Sequence, residues 1–208
     1  MKTERILSLD MSSKTGWSLQ TSSDEGIYLE AYGIIPKTSE PEGAYPVNYL
    51  VWAYTVLLEI VELFNEHTPT VLVIEETASG SKNNFDQKIL EWIHFLVARL
   101  IRETQIKSHY FMTEEWRRAV GCNKMSDSDK LKNKEVRNYK KKNPGVKLAR
   151  NSVGKVIGLV GKKHLNVRKA NELYGKFLKE PLIQKDEDIA DALLLAAAYH
   201  MKRVEGKL

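Results

Sequence analysis

The sequence predicts an α/β domain: a mixed central sheet flanked by helices, with a basic insertion before the C-terminal helix. Three observations carry this. Short apolar runs at the start read as successive strands, helical periodicity then alternates with further strands, and positive charge is concentrated late in the chain. A chain of 208 residues, 42% of them hydrophobic, can bury one sizeable core. A single domain over 1–208 is therefore expected, with the insertion at about 124–164.

The elements follow in order. Ile6 to Leu9 is a buried strand ending at Asp10, and a polar turn through Ser12 to Gly16 leads to a second strand at Trp17 to Leu19. Ile27 to Ile35 is a third, closed by Pro36, and tight polar turns between the three suggest an antiparallel meander. Leu50, Ala53, Leu57, Ile60, Val61 and Phe64 recur at helical spacing within Tyr49 to Phe64. Val71 to Ile74 is a buried strand terminating at Glu75. An amphipathic helix over Phe85 to Glu103 and a short strand over His109 to Met112 come next. Thr113 is expected to cap the following helix, with Glu114 and Glu115 at the positive end of its dipole. Beyond it the periodicity weakens. A charged helix is expected over Ser126 to Lys142, stopped by Pro144-Gly145, and further helices over Val167 to Leu178 and Asp186 to Met201.

Net charge is only +5, but its distribution is uneven. Between Arg117 and Lys179 there are 19 lysines and arginines against Asp127, Asp129, Glu135 and Glu172, so this segment is +15 and the remainder −10. A basic surface on an acidic body fits a nucleic-acid partner, although any single Lys-rich helix is equally well a solvated face. Arg117, Arg118, Lys124, Lys162, Lys163, Arg168 and Lys169 are candidate phosphate contacts, as are Lys140 to Lys142, Lys147 and Arg150. Lys162, Lys163 and Arg168 are expected nearest the reacting phosphate. His164 either contacts phosphate or is an ordinary surface histidine.

Several classes are disfavoured. Cys122 is the only cysteine, so no disulfide framework or multi-cysteine zinc site is expected. The N-terminal residues lack the apolar region of a signal peptide. The apolar run at Ile189 to Tyr199 is too short to span a bilayer. A soluble, intracellular protein without membrane contact is expected. Gly154, Gly158 and Gly161 fit neither a P-loop nor a dinucleotide turn, so no organic cofactor is expected.

The chemistry-bearing residues are acids. Asp10 and Glu75 end two strands, while Asp188 and Asp191 are three apart in the last helix and can share one face. Singly, each has an ordinary explanation: a turn residue, a surface pair with Glu76, a helix-dipole acid. Asp191 fits that explanation least, because it lies between Ile189-Ala190 and Ala192 to Ala196. If the last helix crosses the strand ends, the four carboxylates converge and need cations to relieve their repulsion. Mg²⁺ or Mn²⁺, which prefer oxygen ligands, are the expected occupants. Two such ions would activate water and stabilise the leaving oxygen of a phosphodiester.

These blocks resemble the RuvC-like Holliday junction resolvases of the RNase H-like superfamily. The likeness runs from Ile6-Leu7-Ser8-Leu9-Asp10 and Thr15-Gly16-Trp17, through Val73-Ile74-Glu75, to Asp188-Ile189-Ala190-Asp191-Ala192-Leu193. Lys82-Asn83-Asn84 and Trp116-Arg117-Arg118-Ala119-Val120-Gly121 add to it. The resemblance implies an RNase H-like fold and a homodimer that makes paired symmetric nicks in branched DNA. It also implies two metal ions, with Asp10 bridging them, Glu75 on one and Asp188 with Asp191 on the other. The long basic segment resembles expanded phage or viral members. Thr77-Ala78-Ser79-Gly80 stands where bacterial members carry an aromatic wedge; Phe85 is a substitute or a buried helix-start residue. Alternatives stay open: an RNA/DNA-hybrid or ribosomal-RNA nuclease on the same fold, or an inactive nucleic-acid-binding module; an actin-like phosphotransferase would need a second phosphate-binding hairpin and an adenosine motif, and the sequence shows neither.

Overall fold

The computed structural model describes residues 2–12, 14–36, 42–76, 84–147, 149 and 158–208, and of 84–86 the backbone alone. Three strands open the chain: β1 (Glu4–Asp10), β2 (Thr15–Ser23) and β3 (Gly26–Ile35). After α1 (Val47–His67) come β4 (Val71–Glu75), α2 (Asn84–Thr104) and β5 (Lys107–Phe111). The helices α3 (Thr113–Ala119), α4 (Asp127–Lys142), α5 (Lys162–Tyr174) and α6 (Glu187–Val204) complete it. The strands form one sheet in the order β3-β2-β1-β4-β5. The first three pair antiparallel as the expected meander, whereas β4 and β5 run parallel to β1. The domain is thus α/β with a mixed central sheet between helices, as the sequence predicts.

Alternation along the strands sends side chains to two cores. Ile6, Val71 and Val73 meet α3, α5 and α6 on one face. Leu7, Leu9, Leu72 and Ile74 meet α1 and α2 on the other. Burial on both faces is why Val71 to Ile74 reads as an unbroken apolar run. Trp92 and Leu96 of α2 pack partly buried against this second core.

The α6 layer is fastened by polar groups. Ser8 Oγ donates to the Ala192 carbonyl at 2.7 Å and lies 2.6 Å from Ser18 Oγ. Gln20 Nε2 donates to the Leu193 carbonyl at 3.2 Å, while the Tyr174 hydroxyl donates to Gln20 Oε1 at 2.7 Å. Ser8, Ser18 and Gln20 are fully buried. Helix carbonyls retain a second lone pair, so these strand side chains can fix α6 without breaking its ladder.

Some boundaries differ from expectation. Thr15 and Gly16 belong to β2 rather than to the turn. Met112, not Thr113, occupies the N-cap position of α3, because the Thr113 hydroxyl is used on Glu75. α5 begins five residues before Val167 and ends at Tyr174. Its buried face includes polar Asn166, which obscures the apolar period, and Gly175 takes the C-cap. α1, rather than the α6 region, is the helix whose length and composition would suffice to cross a membrane. It packs on the sheet through Tyr49, Trp52, Ala53, Val56 and Ile60.

Candidate active site

The register of the sheet brings the acids together. Leu9 pairs with Ile74 across parallel β1 and β4, so the next residues, Asp10 and Glu75, end adjacent strands. Asp10 also pairs with Gly16 of β2. A β-carbon on Gly16 would fall 2.0 Å from the Asp188 carbonyl oxygen, so the missing side chain is what lets the start of α6 close over the strand ends. Asp188 sits in the first turn of α6 and Asp191 one turn later, on the same side. Asp188 therefore faces the site while also meeting the helix dipole.

The electrostatics express this convergence. Desolvation raises the Asp10 carboxyl well above its ordinary range, and the charges of Asp191, Glu75 and Asp188 raise it further. Burial is the largest cause at Asp191 too, where the Glu75 charge adds to it and the pKa is pushed up to about 7. Glu75 is raised by burial, opposed chiefly by the Thr113 hydroxyl, and Asp188 by burial, opposed by Lys163 and Lys14. Carboxylates that resist ionising beside one another form a donor set for a hard cation. As they stand, no group of three or more acids, histidines or cysteines among the described residues is arranged to hold a metal ion. Asp10, Glu75, Asp188 and Asp191 are nevertheless the side chains that would supply oxygen ligands here.

Several residues hold these acids in roles that the sequence did not assign to them. Asn166, fully buried on α5, donates from Nδ2 to Asp191 Oδ1 at 2.7 Å. The thiol of Cys122 reaches the Asn166 carbonyl oxygen at 3.4 Å, and burial pushes that thiol up to about 11, so it stays a donor. Thr113 donates to Glu75. Lys14 Nζ lies 3.6 Å from Asp188 Oδ2. Their only sequence signal is position, because a lone Asn, Thr or Lys carries no spacing pattern.

The basic candidates are dispersed. Lys163 is half-buried beside the acids, bonded to Glu187 and 4.0 Å from Asp188 Oδ1. Arg117 is 8% exposed, with Nη2 3.9 Å from Asp191 Oδ2, so its charge points inward to the carboxylates. Its guanidinium lies over the Trp116 ring at 4.9 Å, and its Nε has no hydrogen-bond partner among the described residues. Arg118 and Lys124 are exposed. Lys162 pairs with Glu114 and Lys169 with Glu172, while Arg168 turns from the acids to a two-bond pair with Asp129. His164 accepts the Gly161 N–H at the head of α5. Gly154, Arg150, Thr77 to Gly80, Lys82-Asn83 and the side chains of Asn84 and Phe85 lie outside the described residues.

No family model and no curated protein matches the sequence. Solved structures do match. Thermus thermophilus RuvC in complex with a Holliday junction substrate superposes with a TM-score of 0.64 at 13% identity, over 98% of this chain and 97% of that one. Another Thermus thermophilus RuvC structure gives 0.62 at 15% identity, with the same coverage. The yeast mitochondrial Holliday junction resolvase gives 0.61 at 11% identity, over 97% of this chain and 80% of that one. At such identities the likeness is one of fold: this chain has the RNase H-like fold of the RuvC-type resolvases.

Proposed function

We propose that the protein is a metal-dependent endonuclease that resolves four-way and related branched DNA. The observation that carries this is the meeting of Asp10, Glu75, Asp188 and Asp191 at the ends of adjacent strands under α6, on a fold shared with junction resolvases. Divalent cations, Mg²⁺ or Mn²⁺ and two per site, would be held by these carboxylates. Once bound they supply an activated water and charge stabilisation for the leaving oxygen. The chain's own residues do the rest. Asn166 and Thr113 orient Asp191 and Glu75, Arg117 offsets negative charge from inside, and Lys163 and Lys14 present cations at the mouth, where a phosphate would arrive. Arg118 and Lys124, and Lys162 and Lys169 once they exchange Glu114 and Glu172 for DNA, would contribute phosphate contacts.

Paired symmetric nicks require two equivalent sites, which a C₂ homodimer supplies. α1 offers a surface for it. Val47, Val51, Tyr54 and Leu58 are exposed at i, i+4, i+7 and i+11, and Phe95 of α2 is exposed as well. A soluble intracellular enzyme that buries this face against a second copy accounts for so apolar a helix.

The deciding experiment incubates the protein with Mg²⁺ or Mn²⁺ and a labelled four-way junction, beside linear duplex, a Y-fork and an RNA/DNA hybrid. Metal-dependent symmetric nicking of the junction, lost in Asp10→Asn, is expected. Cleavage of the hybrid alone would instead make it a hybrid nuclease. Junction binding with no cleavage would make it a binding module.

A further inference from the structure

The helix α4 is unlike every other long helix of the protein. Its only buried residues are polar, Asp129 and Asn133, and its apolar Leu131 and Tyr139 are exposed. A helix in water is ordinarily kept by packing an apolar face, and in α4 only Val136, on the side of Asp129 and Asn133, is half-buried. Directional bonds keep it instead. Arg168 Nη1 and Nη2 donate to Asp129 Oδ2 and Oδ1 at 3.0 and 2.9 Å. Asn133 donates to the Val160 carbonyl at 2.9 Å and accepts the Val160 N–H at 2.8 Å. Ser126 caps the helix with Asp129 in a capping box. These bonds set α4 at a defined attitude to α5, the helix that also carries Lys163 and Asn166.

The face so presented is cationic. Lys130, Lys134, Arg137 and Lys141 recur at i, i+4, i+7 and i+11, so they form one stripe along the helix, and all four are exposed. Lys130 is shared with Asp127 at 2.7 Å, and Glu135 falls on the opposite flank. At 1.5 Å per residue the stripe is about 16 Å long. One strand of duplex DNA presents about five phosphates over that length, at 3.4 Å of axis each. Charge of one sign, regular spacing and a mount held mainly by directional polar bonds fit an extended polyanion.

We infer that α4 is a docking rail for the phosphate backbone of a duplex arm, separate from the acidic site, and that Arg168 anchors the rail instead of touching DNA. The inference takes its substrate from the branched-DNA function proposed above. The rail adds affinity along an arm and leaves the chemical step alone.

The test compares wild-type protein with Lys134→Glu/Arg137→Glu and with a control of equal charge change away from α4, Lys2→Glu/Lys207→Glu. Metal-free binding is measured against salt on long-armed junction, short-armed junction and linear duplex. On long arms and duplex the rail variant is expected to bind at least about tenfold more weakly, its salt slope shallower by about 2, with little change on short arms. Turnover at saturating junction should match wild type. Asp129→Asn should also weaken long-arm binding, although removing a negative charge would by itself strengthen it. Equal affinity and slope in rail variant and wild type, or an equal loss in the control, would overturn the rail; so would tighter binding by Asp129→Asn. A protein that binds duplex through the rail yet neither prefers nor cuts junctions would leave the rail standing and remove the resolvase function.

Discussion

At the scale of single residues, the site depends on what holds its acids. Asn166 can donate to Asp191 only through its amide nitrogen, and the protonated Cys122 thiol occupies the other end of the carboxamide. The carboxylate is thereby oriented before any ion arrives. Outer partners of metal ligands are commonly worth about 10–100-fold in metal affinity. Asn166→Ala is accordingly expected to weaken Mn²⁺ binding by about that factor in calorimetric titration, with metal-free junction binding unchanged. An unaltered Mn²⁺ isotherm would show that Asn166 only packs. The same carboxyl makes a pH prediction. Asp191 is pushed up to about 7, chiefly by burial. A carboxyl held above its unfolded value stabilises the fold fully below about pH 4, and that contribution is lost as pH rises through about 7. Metal-free wild type should therefore lose thermal stability across this window relative to Asp191→Asn, and Mn²⁺ at neutral pH should restore it. Parallel melting curves for the two proteins would contradict this.

At the scale of elements, the contact between β2 and α6 sets the geometry. Gly16→Ala places a β-carbon within 2.0 Å of the Asp188 carbonyl, a main-chain atom with nowhere to go but outward. Overpacking of this kind costs about 1–3 kcal/mol, so a lowered Tm is expected together with loss of cleavage, while Gly145→Ala, where nothing lies within 4 Å and φ is not positive, serves as the space control. An active, equally stable Gly16→Ala protein would show that α6 has room to shift. The strands and the acids were legible in the sequence because apolar runs and strand-end or helix-face carboxylates leave periodic traces. The fastenings were not. Asn133 holds Val160, Asn166 holds Asp191 and Asn171 exchanges two bonds with Leu182, each across a sequence gap that no local pattern records. The same holds for Arg168, whose charge suggested a phosphate and whose geometry selects Asp129. Arg117 was legible as a cation, but its burial depends on α3 packing Trp116 into the core.

At the scale of the whole molecule, two helices present stripes of the same spacing and opposite character. Val47, Val51, Tyr54 and Leu58 on α1 are apolar, and Lys130, Lys134, Arg137 and Lys141 on α4 are cationic. If the first faces a second copy, Leu58→Glu should shift a dimer toward monomer in light scattering and replace paired nicks by single ones. A wild type that is monomeric at working concentration would remove that prediction and the dimer with it. One further consequence follows from the buried Ser8, Ser18 and Gln20, whose bonds end on the carbonyls of Ala192 and Leu193. Every amino acid brings the same carbonyl, so no side-chain replacement in α6 can delete the acceptors. Tolerance to mutation is therefore unequal across this contact. The helix can drift among residues of similar volume and keep its address, whereas the three strand residues hold that address and cannot drift with it.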